Sequence, residues 1–388
     1  MLLQHLSLRE FRNFAAGDLD FGARFTVLHG PNGVGKTNIL EALYLVATLR
    51  SFRSADLGPL VRHGAAEARV EVSGHDRQLG LGTKLAVHLT RTARQTRRLA
   101  IADGKTVRSG PDFYGRLRAI LFTPEDLGVL RGSPTGRRQF LDRALFARDR
   151  AHIADIADYD KLLRSRNRVL RGEDAGIARG QQDSLLDAYD AGLAAAGARI
   201  QVRRERLLAD LRSAFAEAFA QIHGRHLGVS LEYVSKLAGE AGAEPGDPQM
   251  RLAEALRGAR RHDLVRGTTT VGPHRDDFDV RLDGQDAGAF ASQGQARALI
   301  LAFKIAELQD ARARAGEAPV LLLDDVSSEL DPQRSAQLFE ALLREAGQCV
   351  LTTTAPHFIG LPAGGDCRYI EVDKGHIKLG GDSGPKPA

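Results

Sequence analysis

A glycine-rich segment near the start of the chain has the residue types and spacing of a phosphate-binding loop. Residues 30–37 read GPNGVGKT and match G-x-x-x-x-G-K-[ST], between an apolar strand at 25–28 and a helical pattern from Asn38. In such a loop, backbone N–H groups and a helix N-terminus surround phosphate oxygens, so we expect a nucleotide to bind here. The predicted nucleotide-binding residues are Gly30, Pro31, Asn32, Gly33, Val34, Gly35, Lys36 and Thr37.

Two acidic residues much later in the chain are the second half of this candidate site. Residues 320–325 read VLLLDD, a buried-strand pattern that ends in two carboxylates. Asp324 is a candidate Mg²⁺ ligand together with the Thr37 hydroxyl, and Asp325 is a candidate catalytic group for the water that attacks the γ-phosphate. Lys36 is the second candidate catalytic residue, because it would neutralise phosphate oxygens. An acidic cap at the end of a strand is the simpler alternative.

A third segment lies between these two, directly before a predicted helix. Residues 292–295 read SQGQ and precede a helical pattern over 296–311. A serine hydroxyl, a flexible glycine and a helix N-terminus suit a γ-phosphate contact, although the same residues alone would be an ordinary helix cap. With a phosphate loop upstream and the LLLDD strand downstream, we favour the phosphate contact. The candidate residues are Ser292, Gln293, Gly294 and Gln295.

The order of these motifs resembles that of ATP-binding-cassette (ABC) head domains. In that class S-x-G-Q of one subunit closes on the nucleotide held by another, so the resemblance implies an ATP-dependent homodimer with ATP and Mg²⁺ as cofactors. It also implies that Asp331, in the SSELD segment, lies in a loop that crosses the dimer interface. Asp325 is shorter than the glutamate common at this position, which suggests slow hydrolysis. Thr352, Thr353 and Thr354 occupy the place of the usual switch histidine.

The elements that must position these motifs predict two lobes. Apolar residues recur at helical spacing over 137–261, whereas the ends of the chain carry strand patterns, including neighbouring parallel strands at 320–323 and 349–351. We expect an α/β fold: an ABC-type, SMC-head-like P-loop ATPase lobe built from both chain ends, with an inserted, mostly helical lobe. The predicted boundaries are 1–118 and 266–375 for the ATPase lobe, 119–265 for the helical lobe and 376–388 for a flexible tail.

Composition limits the function classes without choosing one. The chain has 388 residues, of which 43% are hydrophobic and 27% charged, as in a protein of two or three globular domains. The net charge is +5 and only nine of the 54 basic residues are lysines; this arginine excess suits forked phosphate contacts, but genomic base composition explains it equally well. Two cysteines leave a disulfide framework unsupported, and no apolar run approaches a membrane span. We expect a soluble, cytoplasmic protein without a membrane partner.

Motifs along nearly the whole chain also resemble those of the bacterial RecF family. They are LREFRNF at 8–14, SFR at 51–53, PEDL at 124–127, RGSP at 131–134, RRQFLD at 137–142, TVGPHRDD at 270–277 and LLLDDVSSELD at 321–331. The resemblance implies a nucleoid-associated ATPase of DNA replication, repair and recombination. Such a protein binds duplex DNA next to single-strand gaps, works with RecR to help load RecA, and uses slow, DNA-stimulated ATP hydrolysis as a switch.

Two other function classes stay open on the motifs alone. A transporter-type ATPase shares the phosphate loop and the signature, but its signature usually reads S-G-G-Q, where this chain has Gln293 and Gly294. A nuclease with an ATPase head would need a further catalytic domain, and only 57 residues follow Asp331. Both classes therefore fit the sequence less well than a DNA-binding ATPase.

Clustered arginines are candidates for DNA phosphate contacts, although a solvated helix face is the simpler explanation for each cluster. No aromatic residues alternate with them, which favours contact with a duplex backbone over stacking on single strands. His274, Asp276 and Asp277 are three possible metal ligands within four residues, but we expect hydrogen bonds at this turn instead of a metal. The arginine candidates are Arg137, Arg138, Arg143, Arg164, Arg166, Arg168, Arg203, Arg204, Arg260 and Arg261.

Overall fold

Two units make up the chain. The computed structural model describes residues 1–76, 80–108, 110–173, 179–224, 226–236, 247–315, 318–325, 345–354 and 366–379. One unit is built from both chain ends, Met1–Leu127 and Leu299–Ala388, and the other comprises Gly128–Ala298. We call the first unit the terminal lobe and the second the inserted lobe.

The N-terminal strands form an antiparallel sheet in the terminal lobe. They are β1 (Leu2–Phe11), β2 (Phe14–Asp20), β4 (Glu67–Asp76), β5 (Leu81–Arg91), β6 (Thr96–Ala102) and β7 (Lys105–Val107). Their order in the sheet is β2-β1-β4-β5-β6-β7. Buried and more exposed residues alternate along β1 and β4, because one face of the sheet packs on the core and the other meets water.

A second sheet of the terminal lobe is almost entirely parallel. Its strands are β3 (Phe25–His29), β8 (Ala119–Phe122), β12 (Val320–Leu323), β13 (Gln348–Thr353), β14 (Cys367–Asp373) and β15 (His376–Leu379). The order is β15-β14-β3-β13-β12-β8, and only the edge strand β15 runs antiparallel to its neighbour. The carboxyl ends of β3, β12 and β13 therefore meet at one edge, where ligands bind in open parallel sheets.

Helix α1 (Lys36–Thr48) packs against strands of both sheets. Its residues are apolar on nearly every side, and almost all of them are buried, as expected for a helix enclosed between two layers. The helix ends at Leu49, whose left-handed backbone (φ 55°) lets its N–H bond to Leu45 O. The short helices α2 (Gly110–Phe113) and α3 (Pro124–Leu127) also belong to this lobe.

The buried side chain of Gln348 joins the two sheets. Its Oε1 accepts a hydrogen bond from the backbone N–H of Leu3 at 2.8 Å, and its Nε2 donates to Leu3 O and to Gly22 O, each at 2.9 Å. An amide side chain can both donate and accept, so it pairs with β1 much as another strand would. The first strand of the chain is thereby fastened to β13, almost 350 residues later.

The inserted lobe is mostly helical. Its core includes Tyr159, Leu193, Ile200, Leu252 and Leu256. Among the described residues, no helix of either lobe is long and apolar enough to cross a membrane. The helices are α4 (Pro134–Arg148), α5 (Arg150–Leu170), α6 (Arg179–His223), α7 (Pro248–Arg266), α8 (Ala287–Phe290) and α9 (Gln293–Ala315), the last of which continues into the terminal lobe.

The inserted lobe also contains a small antiparallel sheet in the order β11-β10-β9. Its strands are β9 (Val229–Val234), β10 (Asp277–Leu282) and β11 (Gln285–Asp286). Helical periodicity gave no sign of β9. Because β10 pairs with β9, residues 266–298 belong to the inserted lobe, and not to the ATPase lobe as the sequence predicted.

Two other predicted boundaries differ from the observed ones. Residues 119–122, predicted in the helical lobe, form β8 in the parallel sheet beside β12, a partner about 200 residues away that no local pattern reveals. Residues His376–Leu379, predicted to begin a flexible tail, form β15 against β14, because Lys374 and Gly375 adopt the positive φ angles of a tight hairpin turn. The remainder of the predicted tail, 380–388, lies outside the described residues.

The fastening of β1 to β13 gives a test of stability. We expect Gln348→Leu to lower the free energy of unfolding by about 3 kcal/mol, because one buried N–H and two buried carbonyls lose their partner. Calorimetric melting of the variant and the wild type measures the loss. Gln4→Leu is the control, since Gln4 is exposed on β1 and its replacement should change stability by less than about 0.5 kcal/mol. Equal melting of the two variants would contradict the assignment.

Candidate functional site

The phosphate-binding loop follows β3 directly and is braced by Asn13. Gly33 and Gly35 have φ angles of 79° and 118°, a backbone region that glycine adopts readily and other residues rarely do. A Cβ on Gly33 would meet nothing within 4 Å, so this side of the loop is open. A Cβ on Gly35 would come within 2.7 Å of the Asn13 amide, whose Nδ2 also donates to Val34 O at 2.7 Å. Asn13 therefore fixes the path of the loop.

The Lys36 ammonium group lies inside the loop. Its Nζ donates to Gly30 O at 2.7 Å and to Pro31 O at 2.8 Å. Burial lowers the pKa of Lys36, while the carboxylates of Asp325 and Asp324 act in the opposite direction. The structure thus brings together the lysine and both carboxylates that the sequence singled out.

Asp324 follows β12 and accepts hydrogen bonds from two hydroxyl groups. Its Oδ1 accepts from Thr37 Oγ1 at 2.8 Å and from Thr352 Oγ1 at 2.9 Å. Burial raises the pKa of Asp324, and the two hydroxyl hydrogen bonds oppose that shift because they stabilise the charged carboxylate. The start of α1 and the ends of β12 and β13 meet at this carboxylate.

Thr352, one of the three threonines in the place of the usual switch histidine, also contributes to the site. Besides donating to Asp324, its Oγ1 accepts the backbone N–H of Asp325 at 2.8 Å. Asp325 has a left-handed backbone (φ 38°), which Thr352 stabilises. The signal that could have revealed it is a hydroxyl residue at the carboxyl end of the strand predicted to lie parallel to LLLDD.

The motifs FRNF and SFR form a brace beside the loop. Glu41 of α1 is fully buried, and its carboxylate accepts from Arg12 Nε at 2.7 Å, from Arg12 Nη2 at 2.6 Å and from Ser51 Oγ at 2.5 Å. Because Arg12 precedes Asn13, this ion pair also holds the residue that fixes the phosphate loop. Removing one partner of such a buried pair destabilises the fold, since the other charge then remains unpaired in the core.

A basic cleft of about 420 Å³ lies beside the loop. Among its lining residues are Arg12, Asn38, Arg53, His63 and Arg91. Arg53 Nη1 donates to Asn38 Oδ1 at 3.0 Å, next to Thr37 in the chain. The cleft has the volume of a small-ligand site, and Asn38, which follows the phosphate loop in the chain, is one of its lining residues.

The residues Ser292–Gln295 form a reciprocal cap at the start of α9. Ser292 Oγ accepts the N–H of Gln295 at 3.2 Å, and Gln295 Oε1 accepts the N–H of Ser292 at 2.8 Å. Ser292, Gln293 and Gly294 are exposed, and a Cβ on Gly294 would meet nothing within 4 Å. The cap presents this segment to solvent, where a second molecule can reach it. Asp331, predicted in the interface loop, lies outside the described residues.

Several arginines that the sequence offered as DNA contacts are used inside the inserted lobe. Arg166 is fully buried and bonds to Asp190 at 2.6 Å and Asp263 at 2.7 Å, while buried Arg204 forms two hydrogen bonds with Asp142. These side chains cannot reach a phosphate. Further pairs are Arg137 with Asp277, Arg203 with Asp149 and Asp155, and Arg260 with Asp187 and Asp190.

Asp276, in the GPHRDD turn, is a hydrogen-bond acceptor in the core. The side chain is fully buried and accepts from Gln201 Nε2 at 2.6 Å, Tyr233 OH at 2.8 Å and the N–H of Lys236 at 3.2 Å. In the described part of the chain, no group of three or more His, Cys, Asp or Glu side chains is arranged to hold a metal. The hydrogen bonds expected at this turn are therefore present.

His274 of the same turn is held in its neutral form. The carbonyl of Thr269 can only accept, so His274 Nε2 donates to it at 3.0 Å, and Nδ1 accepts from Tyr159 OH at 2.7 Å. Burial lowers the pKa of His274 to about 4; Arg275 and Arg138 lower it further, whereas the Thr269 carbonyl and Asp276 oppose the shift. A proton on Nδ1 would reverse this bond: Tyr159 would have to accept it, and the tyrosine hydroxyl proton would lose its acceptor.

The loop and Asp324 fit a magnesium ion with a bound nucleotide. The Thr37 hydroxyl and the Asp324 carboxylate are oxygen donors 2.8 Å apart, and Mg²⁺ prefers one or two such protein ligands beside phosphate oxygens. The open surface at Gly33 and the ammonium of Lys36 suit the phosphates themselves. The residues present therefore match the cofactors that the motifs predicted.

Comparisons with a family model and with known proteins point to the same family. The family model described as RecF/RecN/SMC N terminal domain matches residues 2–360. A DNA replication and repair protein RecF from Myxococcus xanthus is 41% identical over 391 residues, with 100% of each chain covered. Another from Geobacter sulfurreducens is 38% identical over 355 residues, covering 91% of this chain and 93% of its own.

Solved structures agree with this result. A chain described as the recombination mediator protein RecF with ATP in the RecFOR pathway aligns with a TM-score of 0.82 at 27% identity, covering 97% of both chains. An SMC head bound to the C-terminal winged-helix domain of ScpA aligns with a TM-score of 0.53 at 17% identity, covering 98% of this chain and 97% of that one. The second likeness shows the fold alone, which is the SMC-head-like ATPase fold that the sequence predicted.

The neutral His274 predicts a pH dependence of stability. Its pKa is about 4 in the folded chain and 6.5 as the ordinary value, so the unfolded chain binds the proton first and stability falls as the pH drops below 6.5. Between pH 7.5 and 5 we expect a loss of about 2 kcal/mol from this residue. His274→Gln keeps one donor and one acceptor but does not titrate. Urea unfolding followed by circular dichroism should show a weaker pH dependence in the variant; an unchanged dependence would refute the assignment.

Proposed function

The chain belongs to the RecF family of DNA replication and repair proteins, and we propose that it is an ATP-dependent DNA-binding protein of recombinational repair and replication restart. In this proposal, two copies close around ATP and bind duplex DNA near a single-strand gap. RecR is the direct partner, and RecA is loaded as a result. ATP hydrolysis is slow and resets the switch.

The observation that carries this proposal is the junction at Asp324. A hydroxyl from the phosphate loop and a carboxylate from a strand almost 290 residues later share a hydrogen bond of 2.8 Å. The pair supports Mg²⁺ binding by Thr37 and Asp324, and the ion would offset the negative charge of the phosphates. Lys36 would hold the same phosphates from the loop side.

Asp325 is the proposed group that orients the attacking water. It lies one residue beyond the metal ligand, and its position is set by the bond from its own N–H to Thr352 Oγ1. A carboxylate within reach of a water can accept its proton as the oxygen attacks phosphorus. The side chain of Asp is one methylene shorter than that of Glu, which supports a slow reaction.

Ser292 is the proposed contact from the second subunit. Its segment is exposed and capped, so a phosphate could replace solvent there without reorganising the backbone. Gln293, Gly294 and Gln295 complete the surface that would close on the partner's nucleotide, and Asp331 would cross the same interface. ATP would then touch both protomers only in the closed dimer.

This arrangement makes the nucleotide a switch. A ligand shifts an equilibrium only by its difference in affinity for the two states, and ATP contacts more groups in the closed dimer than in the open one. Loss of the γ-phosphate removes the contact with Ser292, and the dimer opens. The work of hydrolysis is thus the timed release of DNA and partners.

The proposed role of Asp325 is tested by Asp325→Asn. Asparagine tolerates the left-handed backbone at this position, so ATP binding should be unchanged while turnover falls by about 10²-fold or more. Nucleotide titration and phosphate release measure the two effects. Asp103→Asn is a matched control, since Asp103 also has a left-handed backbone (φ 50°) but lies at the β6–β7 turn. Full turnover in the Asp325 variant would exclude this role.

The proposed dimer switch is tested by Ser292→Arg. Fluorescence anisotropy of a labelled gapped duplex is measured in ATP–Mg²⁺ and in ADP–Mg²⁺. We expect the wild type to bind tightly only with ATP, and the variant to bind ATP but lose the ATP-dependent gain. Ser133→Arg removes the equivalent cap of α4 and controls for the lost hydrogen bond. Equal DNA binding by wild type and variant in both nucleotides would mean that the switch acts on something else.

A further inference from the structure

The solvent-facing side of α5 carries a row of basic residues. Arg150, Lys161 and Arg164 are exposed and lie on one side of the helix, with Ala157 between them. We call these three residues the α5 basic row. With a rise of 1.5 Å per residue, the row extends for roughly 21 Å along the helix. The opposite side of α5 is buried and includes Ile153, Ile156, Tyr159, Arg166 and Val169.

Acidic side chains do not neutralise this row. Asp155 is buried and accepts hydrogen bonds from Arg199 and Arg203 of α6. Asp158 acts on the pKa of Arg199, which places it on the side of α5 next to α6. Within the described ranges, Arg150, Lys161 and Arg164 have no carboxylate within 4 Å.

The inserted lobe otherwise pairs its arginines closely with aspartates. Arg166, two positions from Arg164, is buried between Asp190 and Asp263. Residues of one type on one helix thus divide into a buried set that holds the lobe together and an exposed set that does not. Internal ion pairing explains the buried arginines, so the exposed basic residues need a different explanation.

Helix stability does not explain the row. Arg150 is the first residue of α5, where the helix dipole favours negative charge. Lys161 and Arg164 are three positions apart, so two like charges face each other along the surface. Such pairs destabilise a helix, and a bound anion would relieve the repulsion.

We propose that the α5 basic row binds the phosphate backbone of duplex DNA. The inference rests on the proposed function and names a surface that binds the DNA. Arginine and lysine neutralise phosphates regardless of sequence, and several in a line can follow a backbone. The row includes no aromatic or large apolar side chain, which a protein interface would place at its centre and which stacking on single strands would require.

The test is the salt dependence of DNA binding by the full-length protein in ATP–Mg²⁺. The double variant Lys161→Gln, Arg164→Gln removes two positive charges, and glutamine favours the helix about as well as lysine and arginine do. Anisotropy with two duplexes of unrelated sequence is measured over a series of KCl concentrations. We expect binding to weaken about tenfold or more for both sequences, and the slope of log K against log[KCl] to fall by about two.

A charge-matched control separates contact from net charge. Arg206→Gln with Lys378→Gln also removes two exposed positive charges, one from α6 and one from β15. A reduced slope only in the α5 variant supports the row. Equal slopes in both variants, or an unchanged slope in the α5 variant, would overturn the proposed DNA contact. The row would then be assigned to an acidic protein partner. If the wild type bound no DNA in any nucleotide, the proposed function itself would fail, and the row with it.

Discussion

The carboxylate of Asp324 is the point on which the nucleotide site depends, because two other parts of the chain donate hydroxyl groups to it. Thr37 comes from the phosphate loop and Thr352 from the end of β13. Parallel pairing of β12 with β13, and of β13 with β3, brings the three residues to one edge. Thr352 then holds the backbone of Asp325, so the proposed metal ligand and the proposed water-orienting group are both held by one side chain.

Local motifs made much of this site predictable from the sequence. The phosphate loop is one continuous segment with a strand before it and a helix after it, and the LLLDD strand ends where a parallel sheet presents its ligands. The cap at Ser292 was also readable, because capping needs only four consecutive residues. Resemblance to the RecF motifs extended the prediction of the family to nearly the whole chain, and the comparisons confirm that family.

The other features of the fold and the site depend on contacts between residues that are far apart in the sequence. Nothing near Ala119–Phe122 shows that β12 will pair with it, and nothing near Arg166 shows that Asp190 and Asp263 will enclose it. Arginine patterns alone could not separate buried ion pairs from solvent-facing charge. Asn13 was visible in the FRNF motif, but its role as a brace follows only from the path of the loop around it.

The order of strands in the parallel sheet has a consequence for how the chain is made. The strand before the phosphate loop, β3, lies between β13 and β14, which leave the ribosome more than 300 residues later. Translation at about 5–20 residues per second delays them by on the order of tens of seconds. The inserted lobe ends at Ala298, so it can fold during this interval. A product of premature termination between Ala298 and β12 would contain the whole inserted lobe but lack Asp324 and Thr352 of the nucleotide site.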